Sequence, residues 1–141
     1  MTDEAWTWTH ETEIASEHAA GSRVVEAVLE QLQIYQWCEQ DCFAIQLCLE
    51  EALVNAIRHG NGLDTSKCVR VTCKLSSRRF YIEITDEGEG FNPEAVPDPT
   101  EDEYLDRDCG RGVHLMRNFM TEVRYNAAGN SVVMEKIRKL A

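Results

Sequence analysis

The chain is 141 residues long and carries a formal net charge of −11, from 25 acidic and 14 basic residues. That length fits one domain, 1–141, burying roughly two-thirds of its unfolded surface, and so acidic a surface argues against nonspecific binding to nucleic acid phosphates. No run approaches the roughly 18 apolar residues of a membrane span, and the opening stretch Met1–Trp8 lacks the basic-then-apolar order of a signal peptide, so a soluble, cytoplasmic protein is expected.

In chain order, Trp6, Trp8 and His10 alternate with Thr7, Thr9 and Glu11, which predicts a first strand over 5–12. From Ser16 as N-cap, the run Val24, Val25, Val28, Leu29, Leu32 and Ile34 has helical spacing as far as Tyr35. A second helix is expected from about Glu39 to His59, with Gly60 as its stop. Val69, Val71 and Cys73, then Phe80, Ile82 and Ile84 across the polar turn Ser76–Arg79, alternate as a hairpin.

All three prolines of the chain fall in the acidic stretch from Pro93 to Asp108, which reads as a solvated loop. A short helix over Gly112–Met120, with Val113, Met116 and Met120 on one side, and a closing hairpin of Val123–Tyr125 and Val132–Met134 complete the chain. The order β-α-α-β-β-loop-α-β-β predicts an α+β two-layer sandwich, a mixed but mostly antiparallel sheet with helices on one face. Six cysteines, Cys38, Cys42, Cys48, Cys68, Cys73 and Cys109, include no C-x-x-C and no histidine at zinc-finger spacing, so reduced, mostly buried thiols are expected.

Six of the eight glycines form three Gly-x-Gly pairs: Gly60/Gly62, Gly88/Gly90 and Gly110/Gly112. On the second helix Glu51, Asn55, Arg58 and His59 share an arc of roughly 100°, opposite Ile45, Leu49, Ala52, Leu53 and Ala56. This stripe is either a solvated face or a carboxylate base followed one turn later by an amide that can ligate a hard cation. Asp86-Glu-Gly88-Glu-Gly90-Phe91 follows an alternating strand, and is either a tight turn or a carboxylate facing an exocyclic amine, with glycines that let backbone approach a planar base. Cys109-Gly110-Arg111-Gly112-Val113 opens a helix, where free amides and Arg111 can receive phosphate, unless Arg111 is an ordinary surface residue.

Together, Glu51-x-x-x-Asn55-Ala56-x-x-His59-Gly60, Asp86-x-Gly88-x-Gly90-Phe91 and Gly110-Arg111-Gly112-Val113-x-Leu115-Met116 resemble the Bergerat-type, histidine-kinase-like ATPases. The compact form looks most like the bacterial anti-sigma-factor serine-protein kinases. The resemblance implies ATP and Mg²⁺ as cofactors, Glu51 as general base, Asn55 as the Mg²⁺ ligand and Asp86 as acceptor of the adenine amine. It further implies that Gly88 and Gly90 shape the base pocket, that Gly110, Arg111, Gly112 and Val113 lie at the phosphates, and that about 92–109 is the ATP lid. Ser131 matches a small hydroxyl residue near the adenine, and His59 a structural residue of the helix end.

The function implied is a serine/threonine-protein kinase that phosphorylates a small anti-anti-sigma antagonist and sequesters a sigma factor, with no nucleic acid or membrane partner. A nucleotide-dependent binding module without kinase activity, and a stand-alone ATPase or histidine-kinase catalytic domain, are the alternatives. A homodimer through the first strand and helix is implied, with Trp6, Trp8, Val24 and Val28 as exposed apolar surface or as core. His10-Glu11-Thr12 lacks the downstream proline of a phosphoacceptor box and lies in an alternating strand, and His18 and His114 read as packing or surface residues.

Overall fold

The computed structural model describes residues 5–89 and 116–139. Five strands, β1 (Trp8–Ala15), β2 (Cys68–Leu75), β3 (Arg79–Thr85), β4 (Glu122–Tyr125) and β5 (Ser131–Ile137), form one sheet in the order β1-β2-β3-β5-β4. Every pairing among them is antiparallel, so the α+β two-layer architecture holds and the described sheet is antiparallel throughout. Two long helices, α1 (His18–Ile34) and α2 (Glu39–Val54), join β1 to β2.

Alternation decides which face the helices cover. Val69, Val71, Cys73 and Leu75 of β2, Phe80, Ile82 and Ile84 of β3, and Val132 and Met134 of β5 are all buried on one side of the sheet. Against them pack Val24, Val25, Val28 and Leu32 of α1 and Ile45, Cys48, Leu49, Ala52 and Leu53 of α2. Each large side chain buried there contributes about 1.5–3 kcal/mol by leaving water. Met116 and Met120 join this core, as expected for one side of the short helix, whose described part begins at Met116.

Several expectations need correction. The first strand runs Trp8–Ala15 rather than 5–12, because its register against β2 carries the pairing on to Ala15 opposite Cys68. Glu17, not Ser16, is the N-cap of α1; the Ser16 hydroxyl donates to the Lys67 carbonyl at 2.7 Å instead. Val24 and Val28 are core, whereas Trp6 and Trp8 are half-buried. Of the five described cysteines, all free thiols, only Cys48 and Cys73 are buried, and Cys38 and Cys68 are exposed. Cys38 precedes α2 and Cys68 opens β2, and element ends lie at the surface.

The second helix does not continue as α-helix to His59. At Asn55 it widens into a single π-helical turn, Asn55–Gly60, closed by Asn61 N–H donating to the Ala56 carbonyl at 2.9 Å. The Leu63 N–H then reaches the Ile57 carbonyl at 2.9 Å, and the chain leaves through two left-handed residues, Gly62 (φ 63°) and Leu63 (φ 59°). At the opposite end of the sheet, the Arg138 guanidinium donates to the Tyr35, Gln36 and Ser77 carbonyls and lies 5.4 Å over the Trp37 ring, fastening the tail to the α1–α2 corner.

Candidate functional site

A cavity of about 480 Å³ opens where the π-helical turn, the residues after β3 and the β4–β5 hairpin meet. Its walls come from Ala52, Asn55, Ala56 and His59 of the helix, from Gly60–Gly62 and Lys67, from Ile84 and Asp86–Glu89, and from Tyr125 and Gly129–Val132. The helical wall follows i, i+3, i+4, i+7 spacing. It is rotated from the polar stripe toward the small residues Ala52 and Ala56, which leave room above the sheet.

Asn55 lies in both arcs. Its side-chain Oδ1 and Nδ2 are buried, and neither has a hydrogen-bond partner among the described residues. Buried amide atoms are nearly always satisfied, and leaving one unsatisfied costs about 1–3 kcal/mol. Both atoms can therefore hydrogen-bond a ligand that enters the cavity.

Asp86, directly after β3, lines the same cavity beside Gly60. Its Oδ1 accepts from the Gly88 N–H at 2.8 Å, its own N–H donates to the Asn130 carbonyl at 2.9 Å, and the Asn130 amide returns a bond to the Asp86 carbonyl at 3.3 Å. Burial pushes the Asp86 carboxyl above the usual aspartate range, opposed by the Gly88 amide and by the charge of Lys67. The glycines leave space for it. A Cβ on Gly60 would stand 2.3 Å from the Asp86 carboxyl carbon, and one on Gly88 would stand 2.1 Å from the Gly60 carbonyl oxygen.

Gly60 therefore does more than end the helix: it makes room for the carboxylate. The left-handed exit falls to Gly62. Ser131, paired with Thr85, shares a 2.6 Å hydroxyl–hydroxyl bond with it at the rim. The hairpin beside it is held by Asn126, whose Oδ1 accepts from the Gly129, Asn130 and Ser131 amides.

Asn55, Asp86, Gly88 and Ser131 thus meet in one cavity, and His59 joins them. Glu51, half-buried one turn before Asn55, and the exposed Arg58 are not among its wall residues. Gly90, Gly110, Arg111, Gly112, Val113 and the expected lid over 92–109 lie outside the described residues. Sequence reasoning missed Asn61, Lys67, Tyr125 and Asn130. Gly62 next to Asn61 and Gly129 next to Asn130 were the only local signals, each marking a turn whose polar neighbour faces inward.

Comparison with known proteins places these features in a family. The model of the histidine kinase-like ATPase domain matches residues 14–136. Serine/threonine-protein kinase BtrW of Bordetella bronchiseptica is 28% identical over 92 residues, covering 64% of this chain and 65% of that protein. Anti-sigma F factor of Anoxybacillus flavithermus is 33% identical over 100 residues, covering 68% of each. The crystal structure of the RsbU and RsbW domains of a Mycobacterium tuberculosis protein superimposes with a TM-score of 0.65 at 15% identity, over 96% of this chain and 34% of that one. The chain spans about two-thirds of the curated relatives and about a third of the solved one.

Proposed function

The chain belongs to the histidine kinase-like ATPase domain family, and from that premise we propose that it is an ATP- and Mg²⁺-dependent serine/threonine-protein kinase acting as an anti-sigma regulatory factor. It phosphorylates a small anti-anti-sigma antagonist protein and sequesters a sigma factor until the antagonist competes for it. Relatives named as a serine/threonine-protein kinase and as an anti-sigma F factor support this reading. The observation that carries it is the pair of unpartnered buried amide atoms of Asn55, at the wall of a cavity that Asp86 also lines.

The residues present fit a nucleotide and its metal. Asn55 Oδ1 is a hard oxygen donor, and no group of three or more His, Cys, Asp or Glu stands together among the described residues. Asn55 Oδ1 is the protein group that would hold Mg²⁺ there. When bound it neutralises charge at the phosphates. Asp86 accepts the adenine amine, Gly88 and Gly90 let backbone approach the base, and Ser131 stands near it. Glu51 takes the proton of a serine hydroxyl as that oxygen bonds to the γ-phosphorus and ADP leaves, while Gly110, Arg111, Gly112 and Val113 hold phosphate oxygens. The protein acts in the cytoplasm as a homodimer. Among the described residues no helix is long and apolar enough to cross a membrane.

Incubation with γ-labelled ATP, Mg²⁺ and the small antagonist proteins of the same genome tests this reading. Label on an antagonist serine is expected, and its undiminished transfer by Glu51→Ala would remove Glu51 from the base role. One observation favours a second reading, a nucleotide-dependent binding module: Glu51 is not among the cavity-wall residues. Nucleotide binding with no transfer to any antagonist would select it.

A further inference from the structure

Asn61, immediately after the π-helical turn, is 3% exposed, and its amide joins four separate segments. Its Nδ2 donates to Ser16 Oγ at 3.0 Å and to the Cys68 carbonyl at 3.1 Å, while its Oδ1 accepts from the Glu87 N–H at 2.7 Å. Ser16, itself 1% exposed, donates on to the Lys67 carbonyl at 2.7 Å. The Glu87 carboxylate closes the ring by accepting from the Cys68 N–H. The β1–α1 junction, the helix exit, the start of β2 and the turn after β3 are thereby held by one buried side chain.

Each tie lands beside a residue of the cavity wall. Glu87 follows Asp86 directly, Lys67 carries the ammonium whose charge partly offsets the burial that raises the Asp86 pKa, and Gly60, which precedes Asn61, leaves room for the Asp86 carboxyl. A shift of the Glu87 N–H would displace the backbone next to Asp86, whose own N–H is held by the Asn130 carbonyl. A fully satisfied buried amide is also rigid, because every alternative pose leaves donors or acceptors without partners.

We propose that Asn61 is the positioning residue of the base pocket: through Glu87 N–H and through Ser16 and Cys68 it sets where the Asp86 carboxylate and Lys67 stand. The inference rests on the reading of this cavity as an adenine-nucleotide site. Asn61 lies at the cavity wall, but its Nδ2 and Oδ1 are committed to protein partners, so its part is to position rather than to bind. Its effect is on discrimination, since an accurately placed carboxylate accepts the adenine amine and faces the guanine carbonyl oxygen with like charge.

The test is calorimetric titration of the full chain with ADP and with GDP, for the wild type, Asn61→Asp and Ser16→Ala, with melting of each free protein as the control for folding. Asn61→Asp keeps the acceptor for Glu87 N–H and loses both donations, so ADP affinity falls by about tenfold or more and the preference for ADP over GDP shrinks with it. Ser16→Ala shifts the same ratio in the same direction by less, and decides the matter if Asn61→Asp does not fold. An ADP preference that survives both substitutions would overturn the positioning role and leave the nucleotide site standing. A wild type with no ADP preference would overturn the adenine reading and the positioning role together.

Discussion

Gly60 and Asp86 occupy space that a single methyl group would close, since a Cβ on Gly60 would lie 2.4 and 2.6 Å from the two carboxylate oxygens of Asp86. Gly60→Ala therefore displaces the carboxylate or the helix exit. A stability loss of about 1–3 kcal/mol is expected from overpacking, read as a shift in the urea midpoint, together with loss of ADP binding by calorimetry. A variant with wild-type ADP affinity would show that the carboxylate is not needed where it stands.

Asp86→Asn separates binding from folding. The replacement keeps an acceptor for the Gly88 N–H and removes the charged form that burial disfavours. Adenine-nucleotide affinity is expected to fall by about two orders of magnitude, as when a charged partner of a buried hydrogen bond is removed, while the free protein at neutral pH is no less stable than the wild type. The sign over pH follows from the raised pKa. The stability that Asp86 contributes relative to an ordinary aspartate is fully present below its unfolded pKa and is lost as pH rises through its higher folded pKa. Urea midpoints of wild type and Asp86→Asn, compared from acid to neutral pH, should thus move in favour of the variant as pH rises, and a trend the other way would contradict the burial argument.

Thiol reactivity should divide the cysteines by position. Burial pushes the Cys48 and Cys73 thiols up to about 12, so neither has thiolate or access at neutral pH. In the native protein Cys38 and Cys68 react with an aromatic disulfide within the first phase, and Cys48 and Cys73 react only on unfolding. Peptide mapping of the labelled sites checks this.

The strands and long helices were legible because their apolar period is enforced by one buried face, on which Val69, Val71 and Cys73, and Val24, Val25, Val28 and Leu32, all lie. The site was legible only in part. Asn55 and Asp86, singled out from the sequence, line one cavity, but the π-helical turn that begins at Asn55 leaves no mark on composition, since it depends on where the exit through Gly62 and Leu63 is fixed. Ser16 looked like a cap because Ser before a helix usually is one; its hydroxyl goes instead to Lys67, 51 positions away. Asn61 carried no signal of its own in the sequence. Its role rests on partners at 16, 68 and 87, and contacts so distant in the chain have no periodic signature.

Asn55 offers the most direct measurement. Because its buried Oδ1 and Nδ2 lack partners among the described residues, Asn55→Ala removes an unsatisfied amide, and the free protein should melt at or above the wild-type temperature. Calorimetric titration with ADP, in Mg²⁺ and in EDTA, then tests whether this amide is where metal and phosphate are held. EDTA is expected to weaken wild-type binding by about tenfold or more, Asn55→Ala in Mg²⁺ to bind as weakly as the wild type in EDTA, and Mg²⁺ no longer to matter to the variant. An Asn55→Ala protein that binds ADP with undiminished affinity and full dependence on Mg²⁺ would contradict it.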